Sequence, residues 1–283
     1  MGLISELPHS VEVTGRAVEY YVLGTGPPLV LLHGLGGSAD VWYRVAPVLA
    51  EHFTVFAPQL WGTGPAARQG TYTIEDGVSF VTGFMDAVEC TSAHLCGSSL
   101  GGLIAGFTAV RHPARVRSLT LAASAGLGRE AAFFLRAMTL PLAGEVIFRP
   151  SRRRIQRLVR TLVPDHAAID DRLVEALYQD RLRPGVPRQM LNVLRSGISS
   201  LGTKRHVLLS PYLHEIEAPA LVLWGEEDPL FPVKHGTHAA RAIPNARLHV
   251  FPGAGHWPYI ERPSEFIEIM RAFLVHSEGL AAS

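Results

Sequence analysis

Two cysteines in 283 residues, Cys90 and Cys96, are too few for a disulfide framework, and neither sits in a C-x-x-C or His-rich spacing that would hold zinc. They read as reduced thiols of a cytoplasmic protein with no metal and no cofactor. Charge is scarce as well: 18% of residues are charged, and 26 Lys and Arg against 25 Asp and Glu leave a formal net charge of +1. Nucleic-acid-binding domains carry a marked basic excess, so no nucleic-acid partner is expected. An uninterrupted apolar span of about 20 residues is also missing, so no transmembrane segment is expected. The most apolar stretch, 131–148, is interrupted by Arg136, Pro141, Gly144 and Glu145 and reads as an amphipathic cover. The first residues lack the basic and apolar segments of a signal peptide, and Glu6 departs from the myristoylation pattern after Gly2. Apolar mass is plentiful: at 47% hydrophobic residues the chain can bury a large core and fold as a globular protein.

The pattern along the chain alternates strand and helix. Arg16 to Leu23 and Leu29 to Leu32 read as strands joined in a hairpin by Gly24-Thr25-Gly26-Pro27-Pro28. A helix over Val41 to Glu51 and a strand from Phe53 follow. A helix opens at Thr73, with Asp76 completing a capping-box pattern, and leads to a strand ending at Cys96. Next come a helix over Leu100 to Arg111, stopped before Pro113, and a strand from Val116. Continuously apolar strands in βαβ alternation point to a parallel sheet buried on both faces, an α/β fold. The alternation is interrupted over 124–212, which reads as helical throughout, and resumes with a strand over Ala220 to Gly225, a helix over Val233 to Ala242, a strand over Arg247 to Phe251 and a helix from Pro263 to His276.

Chemistry concentrates at the strand ends. Gly97-Ser98-Ser99-Leu100-Gly101 is a G-x-S-x-G motif between a strand and a helix, which marks Ser99 as a nucleophile on a sharp turn. The small neighbours leave room for the strained backbone, and the helix start behind Ser99 favours developing negative charge. His33-Gly34-Leu35-Gly36-Gly37 follows an earlier strand and is glycine-rich enough to aim backbone amides at an oxyanion.

With these two motifs the sequence resembles the α/β-hydrolase fold superfamily over essentially its whole length. The resemblance implies a mostly parallel central sheet flanked by helices, with 1–123 and 213–283 as the core and 124–212 as an all-helical cap inserted between strands six and seven. It also implies that the amides of Leu35 and Leu100 form the oxyanion hole and that His33 braces the loop. In the family's terms, Trp224-Gly225-Glu226-Glu227-Asp228 places the acid at Asp228, and Gly255-His256-Trp257 places the base at His256, in the fold's order of nucleophile, acid and base. His235, His238 and His249 lie in helix or strand and read as surface or packing residues. Relatives commonly have an Asp-x-x-Gly-x-Gly-x-Ser loop where this chain has Gln59 and Ala66 at the polar ends.

The substrate pocket is expected to include His33, Gly34, Ser98, Trp257 and, from the cap, Phe133, Phe134 and Met138. The cap also carries the densest charge cluster, Arg149, Arg152, Arg153, Arg154, Arg157 and Arg160, which suits an anionic surface or a solvated helix face. The first functional expectation is a serine esterase, a monomer or homodimer, that cleaves small to medium hydrophobic carboxylic esters through an acyl-enzyme. The alternative within the fold is a hydrolase of carbon–carbon bonds in ring-cleavage diketones. His256-Trp257 and Arg183-Pro184-Gly185 are similar to that subgroup, whereas Gly34 to Ser38 lacks its usual Gly-Pro-Gly pattern. A ligand receptor that retains the triad is the alternative from a different class.

Overall fold

Short β-branched and aromatic runs bounded by Gly and Pro set the sheet. The computed structural model describes residues 3–4, 8–60 and 72–279. Among the described residues eight strands form the main sheet: β1 (His9–Val13), β2 (Arg16–Leu23), β3 (Pro28–Leu32), β4 (Thr54–Pro58), β5 (Ala93–Ser98), β6 (Val116–Ala122), β9 (Ala220–Gly225) and β10 (Ala246–Phe251). The remaining strands, β7 (Ile198–Ser199) and β8 (Gly202–Thr203), make a separate small ribbon. The sheet order is β1-β2-β4-β3-β5-β6-β9-β10. Only the β1–β2 and β2–β4 pairings are antiparallel; the other five are parallel. The central strands β5 and β9 are buried at every position, as expected of a parallel sheet covered by helices on both faces.

The helices are α1 (Ala46–Leu49), α2 (Ile74–Ala87), α3 (Leu100–Arg111), α4 (Phe133–Ala137), α5 (Ala143–Ile147), α6 (Arg152–Leu162), α7 (Asp171–Leu182), α8 (Val186–Gly197), α9 (Lys234–Ala242), α10 (Pro258–Glu261) and α11 (Pro263–Ser277). α3 packs on β5 and β6, α9 on β9 and β10, and α11 on β6 and α1. The capping box that starts α2 is formed: the Asp76 N–H donates to Thr73 Oγ1 at 3.1 Å, and the Thr73 N–H donates to Asp76 Oδ2 at 3.1 Å.

Three expectations are corrected. First, β2 and β3 do not form a hairpin, because β4 lies between them. The Gly24 to Pro28 turn is instead held to the start of β4, where the Thr54 N–H donates to the Pro27 carbonyl at 3.1 Å and Thr54 Oγ1 donates to the Gly26 carbonyl at 2.9 Å. The tight hairpin is β1–β2, turning at Thr14 and Gly15, both with positive φ. Second, no continuous helix spans Val41 to Glu51. A 3-10 turn at Ala39–Trp42 gives way to α1, because Pro47 has no N–H to extend an α-helix from the preceding turn.

Third, the segment between β6 and β9 is not wholly helical. It contains α4 to α8 and the β7–β8 ribbon, which is anchored where the Thr203 N–H donates to the Arg129 carbonyl at 3.0 Å. The 131–148 stretch is likewise divided into α4 and α5 by Pro141 and by Leu142, whose φ is +67°. Among the described residues no helix is long and apolar enough to cross a membrane. Cys90 and Cys96 are free and buried. Gln59 accepts the Ala39 N–H at 3.2 Å; Ala66 lies outside the described residues.

Candidate active site

The turn from β5 into α3 forces Ser99 to φ 53° and ψ −114°, a sparsely populated conformation that costs about 1–3 kcal/mol. Hydrogen bonds hold it there. The Ser99 N–H donates to the Ala122 carbonyl at 3.0 Å, and the Ser99 carbonyl accepts from Leu103 at 3.1 Å and Ala125 at 3.0 Å. The flanking glycines are required by close approach. A Cβ on Gly97 would lie 2.3 Å from the Gly101 backbone, and one on Gly101 would lie 2.2 Å from the Leu32 carbonyl oxygen. Leu100 opens α3, so its N–H is among those a helix leaves without an intrahelical acceptor.

The loop after β3 lies against this turn: a Cβ on Gly34 would be 3.0 Å from the Ser99 Cβ. His33, 1% exposed, braces the loop. Because the Leu60 N–H donates to Nε2 at 3.0 Å, the proton is assigned to Nδ1, which donates to the Gly34 carbonyl at 2.9 Å. Burial pushes the His33 pKa down to about 4, so the ring stays neutral. Below pH 6.5 the unfolded chain takes up a proton that the folded one refuses. Stability is therefore fully present above pH 6.5 and is lost as pH falls towards 4, by at most about 3 kcal/mol for this one group. His94, also held near 4 by burial, acts in the same window. Denaturant unfolding at pH 7 and pH 4.5 is expected to show the loss, and it should shrink in His33→Gln.

At the ends of β9 and β10, Asp228 and His256 meet. The His256 Nδ1–H donates to Asp228 Oδ2 at 2.8 Å, with both side chains almost fully buried. Asp228 Oδ1 accepts the Leu230 and Phe231 N–H groups at 2.8 and 3.2 Å. The carboxylate is thus fixed by three donors and presents one oxygen to the imidazole, which leaves Nε2 to act as a base. Two other histidines are engaged elsewhere: His235 pairs with Glu130 at 2.7 Å and His249 with Glu265 at 2.9 Å.

Residues of the 124–212 segment fasten the histidine loop. The His256 N–H donates to the Leu162 carbonyl at 2.8 Å. Glu261 accepts the Gly255 N–H at 2.7 Å on one oxygen and the Asp165 N–H at 3.2 Å on the other. Burial raises the Glu261 pKa against the pull of those two donors. Glu261→Gln turns an N–H₂ towards one of these donors. It is expected to cost about 2 kcal/mol and several-fold in kcat, read by thermal unfolding and steady-state kinetics.

Ser99 and His256 face one apolar cavity of about 100 Å³, which Gly34, Leu35, Leu100 and Trp257 also line. The remaining predicted pocket residues lie elsewhere. His33 is behind the loop, and Ser98 is buried with its Oγ 3.2 Å from the Tyr259 hydroxyl. Phe133, Phe134 and Met138 line a second cavity of about 610 Å³; of α4 only Leu135 lines the cavity at the serine. Leu103, Val193, Leu194, Ile198, Val207 and Phe231 line the first cavity and were not expected. The four-residue spacing of Val193 and Gly197 on α8 was the available signal for an inward helix face.

The two cavities share walls at Leu35, Leu135, Leu162, Leu194 and Leu230. Into the larger one projects Arg181, which is 5% exposed. Its Nη2 donates weakly to the Gly36 carbonyl at 3.4 Å, and its Nε has no partner among the described residues. Burial lowers its pKa to about 10, still charged at neutral pH. A buried guanidinium beside the glycine loop, with donor capacity unspent, is suited to an anion. Among the described residues no cluster of His, Cys, Asp or Glu is arranged to hold a metal ion.

A family model described as alpha/beta hydrolase fold matches residues 27–263. The chain is 31% identical to a 2-hydroxymuconate semialdehyde hydrolase from Pseudomonas sp. strain CF600, over 98% of this chain and 97% of the relative. Among solved structures it is similar to a meta-cleavage product hydrolase from Pseudomonas fluorescens IP01, at 26% identity and TM-score 0.81, covering 95% of this chain and 98% of that one. It is also similar to a bacterial membrane phospholipase A, at 28% identity and TM-score 0.81, covering 98% and 88%.

Proposed function

Because the chain is a hydrolase that belongs to the alpha/beta hydrolase fold family, we propose that it cleaves a carbon–carbon bond next to a ketone in an anionic conjugated substrate of the 2-hydroxy-6-oxodienoate class. This replaces the first expectation, a simple esterase, with its alternative, and it sets aside the receptor reading. The observation that carries it is Arg181, a buried cation lining the cavity that shares walls with the one at Ser99. A neutral ester gives that guanidinium no counter-charge, whereas a dienoate carboxylate does. The names of relatives agree: besides the semialdehyde hydrolase, a 2-hydroxy-6-oxo-2,4-heptadienoate hydrolase from Pseudomonas putida F1 is 28% identical over 95% of the chain.

In this reading 124–212 is a cap over the 1–123 and 213–283 core. The dienol first tautomerises to its keto form: the enol O–H gives up its proton, and the carbon destined to leave takes one and becomes sp³, with no net change in charge. Ser99 Oγ adds to the adjacent ketone carbonyl and gives its proton to His256, whose imidazolium Asp228 stabilises. The Leu35 and Leu100 amides receive the oxyanion. Collapse breaks the carbon–carbon bond, and its electron pair leaves as an enolate that His256 protonates. Water, deprotonated by the same histidine, then releases the acyl group as a carboxylic acid and restores Ser99. Ester cleavage uses the same groups with an alkoxide leaving, and it is the second reading, favoured by the apolar lining of the Ser99 cavity.

Side-by-side kinetics on a vinylogous 1,5-diketone carboxylate and on neutral nitrophenyl esters test the proposal. The diketone is expected to have the higher kcat/KM by at least about 100-fold. Rapid turnover of the ester with an inert diketone rejects the carbon–carbon reading.

A further inference from the structure

The rim of the larger cavity carries apolar side chains that folding leaves unburied. Phe133 and Leu142 are each 79% exposed, and Leu140, Val146 and Ile147 are exposed as well. Single apolar residues are ordinary on a protein surface, but five within 133–147 make a patch. Leu142 also holds a left-handed backbone at φ +67°; its carbonyl accepts the Val146 N–H at 3.1 Å, but its side chain is left unburied.

Directly after the patch come Arg149, Arg152, Arg153, Arg154, Arg157 and Arg160, all exposed. Among the described residues only Arg152 of these has a carboxylate partner, Glu175. Over 125–215 there are 15 Lys and Arg against eight Asp and Glu, a net +7, so the near-neutral total conceals a strongly basic segment. Phe133, Ile147, Arg154 and Arg157 all line the cavity that ends at Leu35 and Gly36, which places the apolar patch and the arginines at one mouth.

We propose that this face docks on an anionic lipid bilayer. The exposed side chains of α4, α5 and their connection enter the headgroup boundary, the arginines bind lipid phosphates, and the cavity mouth lies at the membrane surface. A second copy of the chain is the rival occupant, but two such faces, each strongly positive, repel one another. The inference does not depend on which bond the enzyme cleaves.

Co-sedimentation of the full chain with vesicles of equimolar phosphatidylglycerol and phosphatidylcholine tests it. Binding is expected there, and at least about tenfold weaker to phosphatidylcholine alone, at high salt, and in the double variants Leu142→Glu/Val146→Glu and Arg149→Glu/Arg153→Glu. None of these four residues lines either cavity, so vesicle-free turnover of a soluble nitrophenyl ester should stay within about twofold of the parent in both variants. Absent binding to the anionic vesicles, or undiminished binding by the variants, overturns the proposal. So does a solution dimer that Leu142→Glu/Val146→Glu splits, because the face then belongs to a second copy.

Discussion

Replacement of Ser99 by Ala is expected to lower turnover of diketone and ester alike by about 10⁴-fold or more, with thermal unfolding essentially unchanged. The Ser99 position is defined by its backbone bonds to Ala122, Leu103 and Ala125, none of which involves the hydroxyl. Alanine keeps the same positive φ at similar cost, so the variant separates chemistry from folding. A fluorophosphonate should label the parent on Ser99 and leave the variant unlabelled, as peptide mapping would show. Activity retained within tenfold would mean that another group attacks, and the assignments of His256 and Asp228 would fall with it.

The proposed triad could be read from the sequence because each member sits where a strand ends and a turn must follow, and such turns have strict residue requirements. Gly97 and Gly101 are needed because the β5-to-α3 turn brings backbone within 2.3 Å of any added Cβ, a constraint visible as a motif. The ends of α2 and α3 were legible for the same local reason, a capping box at Thr73 and a proline at 113. The crossing of β4 between β2 and β3 was not. Both strands are apolar and joined by a short glycine-rich turn, and only long-range pairing decides between a hairpin and a crossover.

The cavity at Ser99 was the least legible part. Its walls come from α8 and from the 198–207 segment, whose apolar residues look the same whether they face a pocket or the interior. The aromatic stripe of α4 drew attention, but its Phe133 lies at the mouth of the outer cavity, not at the serine. Arg181 was hidden by the crowd of arginines within 124–212. Burial alone distinguishes it from the exposed side chains of α6, and burial of a cation depends on how α7 packs over the glycine loop.

That difference makes Arg181→Met the sharpest discriminator of substrate class. If Arg181 meets the carboxylate of a dienoate, its loss removes a desolvated, charge-assisted contact worth about 2–5 kcal/mol, and kcat/KM for the anionic diketone falls by roughly 30- to 1,000-fold or more. A neutral nitrophenyl ester never used the contact and should change by less than about threefold. Methionine removes a buried charge whose Nε has no partner among the described residues but also leaves the buried Asp180 carboxylate without that charge beside it, so the melting temperature should change little. Arg181→Lys keeps the charge without the planar fork and should fall between the two. Equal losses on both substrates would mean that Arg181 only supports the Gly36 loop, and the anionic substrate class would be rejected while the hydrolytic apparatus stood.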